Sequence, residues 1–263
     1  MEVSFDRGTV LAMRHSFALS IALGLAALAA ACGSSSQTSP STTSGSAGGT
    51  TPVVTTAPDA ANFDGHVVDN SWFPLIPGMT WEYRGVKDGQ PSREIMVATS
   101  QTKTIQGVPC TVVSDKLYLS GALEERTLDY YAQDKDANVW YFGEDTAELK
   151  PDGSVKSTEG TWLSGRDGAE AGIFMPADPQ VGQSFRQEYY KGQAEDHFRI
   201  LSLAEQVKTP GATSDQAMLT MEWTPLEPNV VDHKYYVQGI GTVLEQTAKG
   251  PLERNTLVSV HKG

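Results

Sequence analysis

Hydrophobic and polar side chains alternate along most of the chain after Phe63, in short stretches separated by turn-forming residues. Leu219, Met221 and Trp223 alternate with polar neighbours, which is typical of a strand with one buried face. Residues 139–142 (VWYF) are hydrophobic throughout, which predicts a central strand covered on both faces. After Phe63 the sequence shows no long helical period, so the pattern predicts an all-β domain.

Gly-containing pairs mark the turns between these stretches. Asp88-Gly89 and Asp152-Gly153 are pairs that tight β-hairpins prefer. Weaker versions of the same pair are Ser120-Gly121, Lys191-Gly192 and Lys249-Gly250. We predict a curved antiparallel meander sheet of about ten to twelve strands, forming a half-barrel or an open barrel with an apolar concave face.

Residues 164–182 break this pattern. They contain six Gly or Pro residues around a hydrophobic centre, Ile173 to Met175. A loop of this length without secondary structure of its own is often functional. We interpret it as a cover, either over the open end of the sheet or over a ligand.

The N-terminal region has the features of an export signal. Arg14 precedes a hydrophobic run that starts at Phe17, and small residues lead to Cys32. The run of about fifteen residues is shorter than the roughly twenty that a transmembrane helix needs. We therefore predict that residues 1–31 are a signal peptide, with Met13 as an alternative start.

The residues before Cys32 resemble the lipobox of bacterial lipoproteins, with Ala29 where Leu is usual. The resemblance implies cleavage before Cys32 and a diacylglyceryl group on its thiol, with acyl chains such as palmitate. Two acyl chains anchor a protein stably to a membrane. The alternative is cleavage after Ala31 at an Ala-x-Ala site, which would release a soluble secreted protein.

Residues 32–61 form the segment that follows. They are mostly Ser, Thr, Gly, Ala and Pro, which cannot bury enough apolar surface to fold. As a coil, about thirty such residues span roughly 30 Å. We predict a lipidated Cys and a disordered tether over 32–61, followed by the β domain over 62–263.

Charge and cysteine content narrow the classes of partner. The net charge is −12, with 20 basic and 32 acidic side chains. Such an acidic surface argues against nucleic-acid binding and favours a soluble monomer. With Cys32 lipidated, Cys110 has no partner for a disulfide, and we expect it to be a buried small hydrophobe.

Several segments together resemble a known group of proteins. They are VDNSWFPL (68–75), PGMTWEY (77–83), DYYAQD (129–134), NVWYFGE (138–144) and YVQGIG (236–241). The chain resembles an uncharacterised, actinobacterial-type family of bacterial secreted lipoproteins, over most of residues 68–248. It is also similar to envelope domains that open with PLxPGxxWxY and close with YYxxGxGxV. The resemblance implies a curved half-barrel sheet and no particular activity.

Aromatic residues are candidates for a ligand pocket, because such pockets are lined by apolar and aromatic side chains. The simpler alternative is that they form the hydrophobic core. The candidates are Trp81, Tyr83, Trp140, Phe142, Trp162, Phe174 and Met175.

Asp134, Asp136 and Asn138 offer oxygen atoms at alternate positions of a loop, as calcium sites do. The same pattern is also ordinary turn chemistry. We expect no cofactor other than this candidate calcium ion.

Glu188, Glu195 and Asp196 form a second acidic group, which a turn at Lys191-Gly192 would bring together. Paired carboxyl groups can perform acid–base catalysis, although they can equally form a solvated strand face.

The sequence lacks Gly-x-Ser-x-Gly and His-Glu-x-x-His. We therefore predict a non-enzymatic lipoprotein, exported and held by its lipid at the outer face of the cell membrane, that binds a small apolar or amphipathic ligand. One alternative is a structural module that binds another envelope protein along a sheet edge. Another is a hydrolase built on the second acidic group.

Overall fold

The computed structural model describes residues 53–55 and 57–262. These residues form sixteen strands and one 3₁₀ turn, Ala60–Asn62. The strands are β1 (Val53–Val54), β2 (Thr80–Lys87), β3 (Gln90–Ile105), β4 (Val108–Leu119), β5 (Ala122–Gln133), β6 (Val139–Leu149), β7 (Val155–Ser157), β8 (Trp162–Leu163), β9 (Glu170–Met175), β10 (Ser184–Arg186), β11 (Glu188–Tyr189), β12 (His197–Lys208), β13 (Thr213–Trp223), β14 (Val231–Val237), β15 (Gly241–Lys249) and β16 (Arg254–His261).

All sixteen strands belong to one open sheet with the order β1-β10-β12-β13-β14-β15-β16-β2-β3-β4-β5-β6-β9-β11, while β7 and β8 also pair with β6. Sequential neighbours pair antiparallel from β2 to β6 and from β12 to β16, which confirms the predicted meander. The strand count exceeds ten to twelve because five strands, β1, β7, β8, β10 and β11, have only two or three residues. Such short strands are too brief to give an alternating pattern in the sequence.

One short segment of chain joins the two ends of the sheet. β10 pairs with β12, β11 pairs with β9, and only Gln187 separates β10 from β11. At Gly172 of β9, an added Cβ atom would lie 2.2 Å from the carbonyl oxygen of Arg186. The sheet therefore curves until its ends lie side by side, and residues 184–189 are called the seam below.

The curvature gives the sheet an inner and an outer hydrophobic cluster. The inner cluster combines side chains from both halves of the sheet with the segment 68–79, and includes Phe73, Trp81, Tyr131, Phe198, Met218 and Leu257. The outer cluster includes Ile105, Cys110, Tyr130, Trp140 and Phe142, packed against Phe63. Residues 139–142 are buried and divide between the two clusters, as expected for a strand covered on both faces.

The segment 164–182 contains a strand, β9, and is not the structureless loop that its Gly and Pro content suggested. β9 pairs with β6, where Met175 lies opposite Val139. The ring centre of Phe174 lies 4.5 Å from that of Phe73 and 5.0 Å from that of Tyr131. The segment thus covers the inner face of the sheet with its own hydrophobic side chains.

The predicted signal peptide, Cys32 and most of the predicted tether lie outside the described residues. Near the end of the predicted tether, Val53–Val54 pair in parallel with Ser184 and Phe185 of β10. Within the described ranges, no helix is long and apolar enough to cross a membrane.

Candidate functional site: an acidic cleft on the inner face

The inner face of the sheet opens into a cleft with a volume of about 70 Å³. Its aromatic lining, called the aromatic wall below, consists of Phe73, Tyr83, Tyr131, Tyr141 and Phe174. Polar and charged side chains, whose acidic members are called the acidic wall, also line it: Glu94, Asp115, Asp129, Lys234, Glu245 and Asn255. The sequence-based expectation of an apolar concave face is therefore wrong at this position, which we call the acidic cleft.

Strand register brings these side chains together. Tyr83 of β2 lies opposite Glu94 of β3, and Met96, two residues further, lies opposite Asp115 of β4. Because side chains alternate between faces, Asp129 and Tyr131 of β5 point to the same face. Neighbouring strands thus contribute acidic and aromatic groups to one small area.

The aromatic wall is closely packed. Tyr131 and Tyr141 are stacked with ring centres 4.8 Å apart. The Tyr141 hydroxyl donates a hydrogen bond to Oδ1 of Asp129 over 2.8 Å, and the Tyr83 hydroxyl donates to the carbonyl oxygen of Thr242 over 3.0 Å. These contacts fix the rings, so the cleft has rigid sides.

Burial changes the protonation of the acidic wall. It raises the pKa of Asp129 to about 7, against the effect of the hydrogen bond from Tyr141. It also raises the pKa of Asp115 well above its usual range, and the charge of Glu94 and a hydrogen bond to it add to this. Asn255 donates a hydrogen bond through Nδ2 to Oε2 of Glu94. Burial also raises the pKa of Glu94, against the effect of its hydrogen bonds and of the charges of Lys87 and Lys234. Both carboxyl groups therefore hold protons more readily than exposed ones do.

Lys234 supplies a positive charge beside this wall. Its Nζ lies 2.8 Å from Oε2 of Glu222 and 3.6 Å from Oε1 of Glu245. Burial lowers the pKa of Lys234, but the charges of Glu222 and Glu245 outweigh it and the pKa is raised well above its usual range. Lys234 therefore stays charged and is already paired.

The second acidic group is partly assembled at the seam. Glu188 is fully buried, and burial followed by the charge of Asp196 raises its pKa well above the usual range. Burial also raises the pKa of Asp196 to about 8. Glu195 instead accepts a hydrogen bond from the Gly192 backbone N–H over 2.7 Å. The turn thus brings Glu188 and Asp196 together, while Glu195 serves the turn itself.

The seven candidate ligand-binding residues do not meet at one place. Tyr83 and Phe174 line the acidic cleft. Three others belong to the inner cluster without lining the cleft: Trp81, Trp162 and Met175. Trp140 and Phe142 belong to the outer cluster.

The candidate calcium loop is arranged around Asp134. Its Oδ1 accepts hydrogen bonds from the backbone N–H groups of Asp136 and Asn138, over 3.0 and 2.8 Å. Its Oδ2 accepts one from the indole of Trp140 over 2.8 Å. In residues 53–55 and 57–262, no group of three or more His, Cys, Asp and Glu residues is placed to hold a metal ion. The hydrogen bonds that Asp134 accepts hold the turn.

The acidic wall of the cleft is not among the candidate residues predicted from the sequence. The available signal was weak: Glu94, Asp115 and Asp129 stand among alternating residues of strands, where polar side chains usually face solvent. Side chains two positions apart in a strand lie on the same face, so Asp129 must share the buried face with the inward-pointing Tyr131. That pattern becomes informative only once the inward face is known.

Comparison with solved structures gives two similar folds. One is a predicted exported protein with a YmcC-like fold from Bacteroides fragilis NCTC 9343, at 15% identity and a TM-score of 0.41. The other is a predicted lipoprotein from Parabacteroides distasonis ATCC 8503, at 11% identity and a TM-score of 0.32. Each covers 73% of this chain and 100% of its own. At these TM-scores neither likeness carries an argument about function.

No family model matches the chain, and no curated protein matches it. The two similar structures come from Bacteroidetes, so they give no support to the actinobacterial type of the resemblance seen in the sequence.

Proposed function

We propose that this chain is a non-enzymatic envelope lipoprotein, anchored through Cys32, whose curved sheet binds a small ligand in the acidic cleft. The observation that carries the proposal is the cleft itself, where aromatic and acidic side chains line the same small space. Binding sites combine apolar side chains with a few placed polar groups in this manner.

The size of the cleft sets the size of the ligand. A volume of about 70 Å³ has room for about five water-sized groups, at 10–15 Å³ each. Pockets for drug-sized molecules measure roughly 300–1,000 Å³. A whole lipid is therefore too large, and the ligand is a small molecule or the head of a longer one whose tail leaves through the mouth.

The anchor places this cleft near a membrane without pressing it against the lipid. A net charge of −12 repels anionic headgroups, so the domain stays clear of the surface.

The two alternatives have less support. Of the three carboxyl groups on which the hydrolase hypothesis depends, that of Glu188 belongs to a residue that is 0% exposed and cannot touch a substrate in this arrangement. Binding of another envelope protein would use a sheet edge, and in the described residues the two end strands of the sheet, β1 and β11, have two residues each.

Native mass spectrometry of the protein extracted from its own membranes tests the proposal. We expect a diacylglyceryl mass that disappears in Cys32→Ala, together with a second, small mass that is released on unfolding. A protein without the acyl mass would refute the anchor. A folded protein that never carries a small mass, even after incubation with cell extract, would refute ligand binding.

A further inference from the structure

We propose that the ligand of the acidic cleft is a small primary amine, bound as its ammonium ion with a short apolar tail. This inference rests on the proposed function, because it names the chemical class of the ligand for that same site. It follows from the hydrogen-bonding groups, charges and space that the cleft presents.

The cleft has an unused acceptor. Asn255 is 5% exposed and lines the cleft, and its Oδ1 has no hydrogen-bond partner in the part of the chain that the structure describes. Its Nδ2 is already used by Glu94. A buried amide oxygen that accepts no hydrogen bond is unfavourable, so a ligand with an N–H or O–H group would be stabilised beside it. An ammonium group brings three such donors and no acceptor.

The charges of the lining point to the same class. The described lining holds four carboxyl groups, those of Glu94, Asp115, Asp129 and Glu245, and one ammonium group, that of Lys234. Lys234 pairs with Glu222 and Glu245, and its charge also reaches Glu94 together with that of Lys87. Carboxyl groups therefore outnumber ammonium groups in the lining. A bound ammonium ion there would compensate this charge and lie near the faces of aromatic rings.

The space limits the ligand to a short chain. Room for about five water-sized groups corresponds to a nitrogen and roughly four carbons. Phe73, Met96 and Phe174 provide apolar surface for the carbons. A quaternary ammonium ion has the charge but no N–H, so it could not donate to Asn255.

Binding of the amine should displace protons. The charged groups that face the site come from five strands: Glu94 from β3, Asp115 from β4, Asp129 from β5, Lys234 from β14 and Glu245 from β15. Because burial raises the pKa values of these carboxyl groups, some hold protons at neutral pH, and a bound cation favours their ionised forms. The affinity should therefore increase with pH, while an alkylamine with a pKa of about 10.4 stays charged.

The experiment is isothermal titration calorimetry of the mature protein with butylammonium. Butan-1-ol has the same number of heavy atoms without the charge, and tetramethylammonium has the charge without an N–H. We expect butylammonium to bind about tenfold more tightly than either, with proton release measured in buffers of different ionisation enthalpy. Asp115→Asn should weaken butylammonium about tenfold, whereas Asp215→Asn, on the exposed side of β13, should leave it unchanged.

The comparison ligands keep the inference testable even if Asp115→Asn does not fold. Equal binding of butan-1-ol or tetramethylammonium would overturn the assignment of a primary amine while leaving a ligand-binding cleft intact. Failure of all three to bind would also overturn the amine assignment. The native mass spectrum then decides separately whether the cleft holds any ligand.

Discussion

Replacement of Asp129 by Asn should make the protein more stable at neutral pH. Asp129 is 5% exposed, and its carboxylate accepts a hydrogen bond from the Tyr141 hydroxyl. The Asn amide oxygen can accept the same hydrogen bond. The substitution therefore removes an ionisable group from the acidic cleft with little change in shape.

The size of the effect follows from the pKa of Asp129. Folding raises this pKa from 3.8 to about 7, and burial is the main cause. Below pH 3.8 this carboxyl group is protonated in both the folded and the unfolded state, and its contribution to the free energy of unfolding is at its highest. As the pH rises to about 7, the group ionises more easily in the unfolded chain, so the free energy of unfolding decreases. At about 1.4 kcal/mol per pKa unit, the difference corresponds to about 4 kcal/mol. Wild type and Asp129→Asn should thus have similar free energies of unfolding near pH 4. At pH 8 the free energy of unfolding of the variant should be higher by up to this amount.

Urea unfolding of both proteins from pH 4 to pH 8 measures this difference. Asp215→Asn is the control, because Asp215 is exposed on β13 and its loss should leave the pH profile like that of wild type. Parallel profiles for wild type and Asp129→Asn would refute the argument, since Asp129 would then ionise equally easily in the folded and unfolded states.

Two further predictions concern other parts of the sheet. Burial raises the pKa of Cys110 to about 12. At pH 8 the folded protein should therefore contain on the order of a thousandfold less Cys110 thiolate than the unfolded chain, and Cys110 should react with a disulfide reagent only after denaturation. Rapid labelling of Cys110 in the native protein would contradict this. Gly172→Ala should force the backbone of Arg186 away and destabilise the protein by about 1–3 kcal/mol. Hydrogen exchange should then accelerate at the Gln187 amide, whereas Gly89→Ala, where an added Cβ meets nothing within 4 Å, should not affect that amide.

Turn chemistry made the meander predictable from sequence. Asp88-Gly89 joins β2 to β3 with both φ angles positive, at 51° and 69°, as a type I′ hairpin requires. Ser120-Gly121 does the same between β4 and β5, at 49° and 88°. The equivalent turn between β3 and β4 is Gln106-Gly107, at 50° and 83°, and it was not predicted because Gln seldom takes a positive φ.

The acidic cleft could not be predicted in the same way. Alternation shows that a strand has two different faces, but it does not show which face is buried when both carry some hydrophobic residues. Glu94 and Asp129 looked like solvent-facing residues, although they are 6% and 5% exposed. Their burial depends on how far the sheet curves, which in turn depends on the short strands of the seam. Strands of two or three residues leave no periodic pattern to detect.

The pairing of β16 with β2 has a consequence for how the chain folds as it is synthesised. Leu257 lies opposite Tyr83, so the first long strand finds its second neighbour only in the last strand of the chain. As the chain emerges N-terminus first, β2 to β6 can form hairpins, but the free edge of β2 stays exposed until β16 arrives. Contacts this distant in sequence form slowly. An unpaired strand edge can pair with other chains, so this protein is most prone to aggregation in the interval before the last strand arrives.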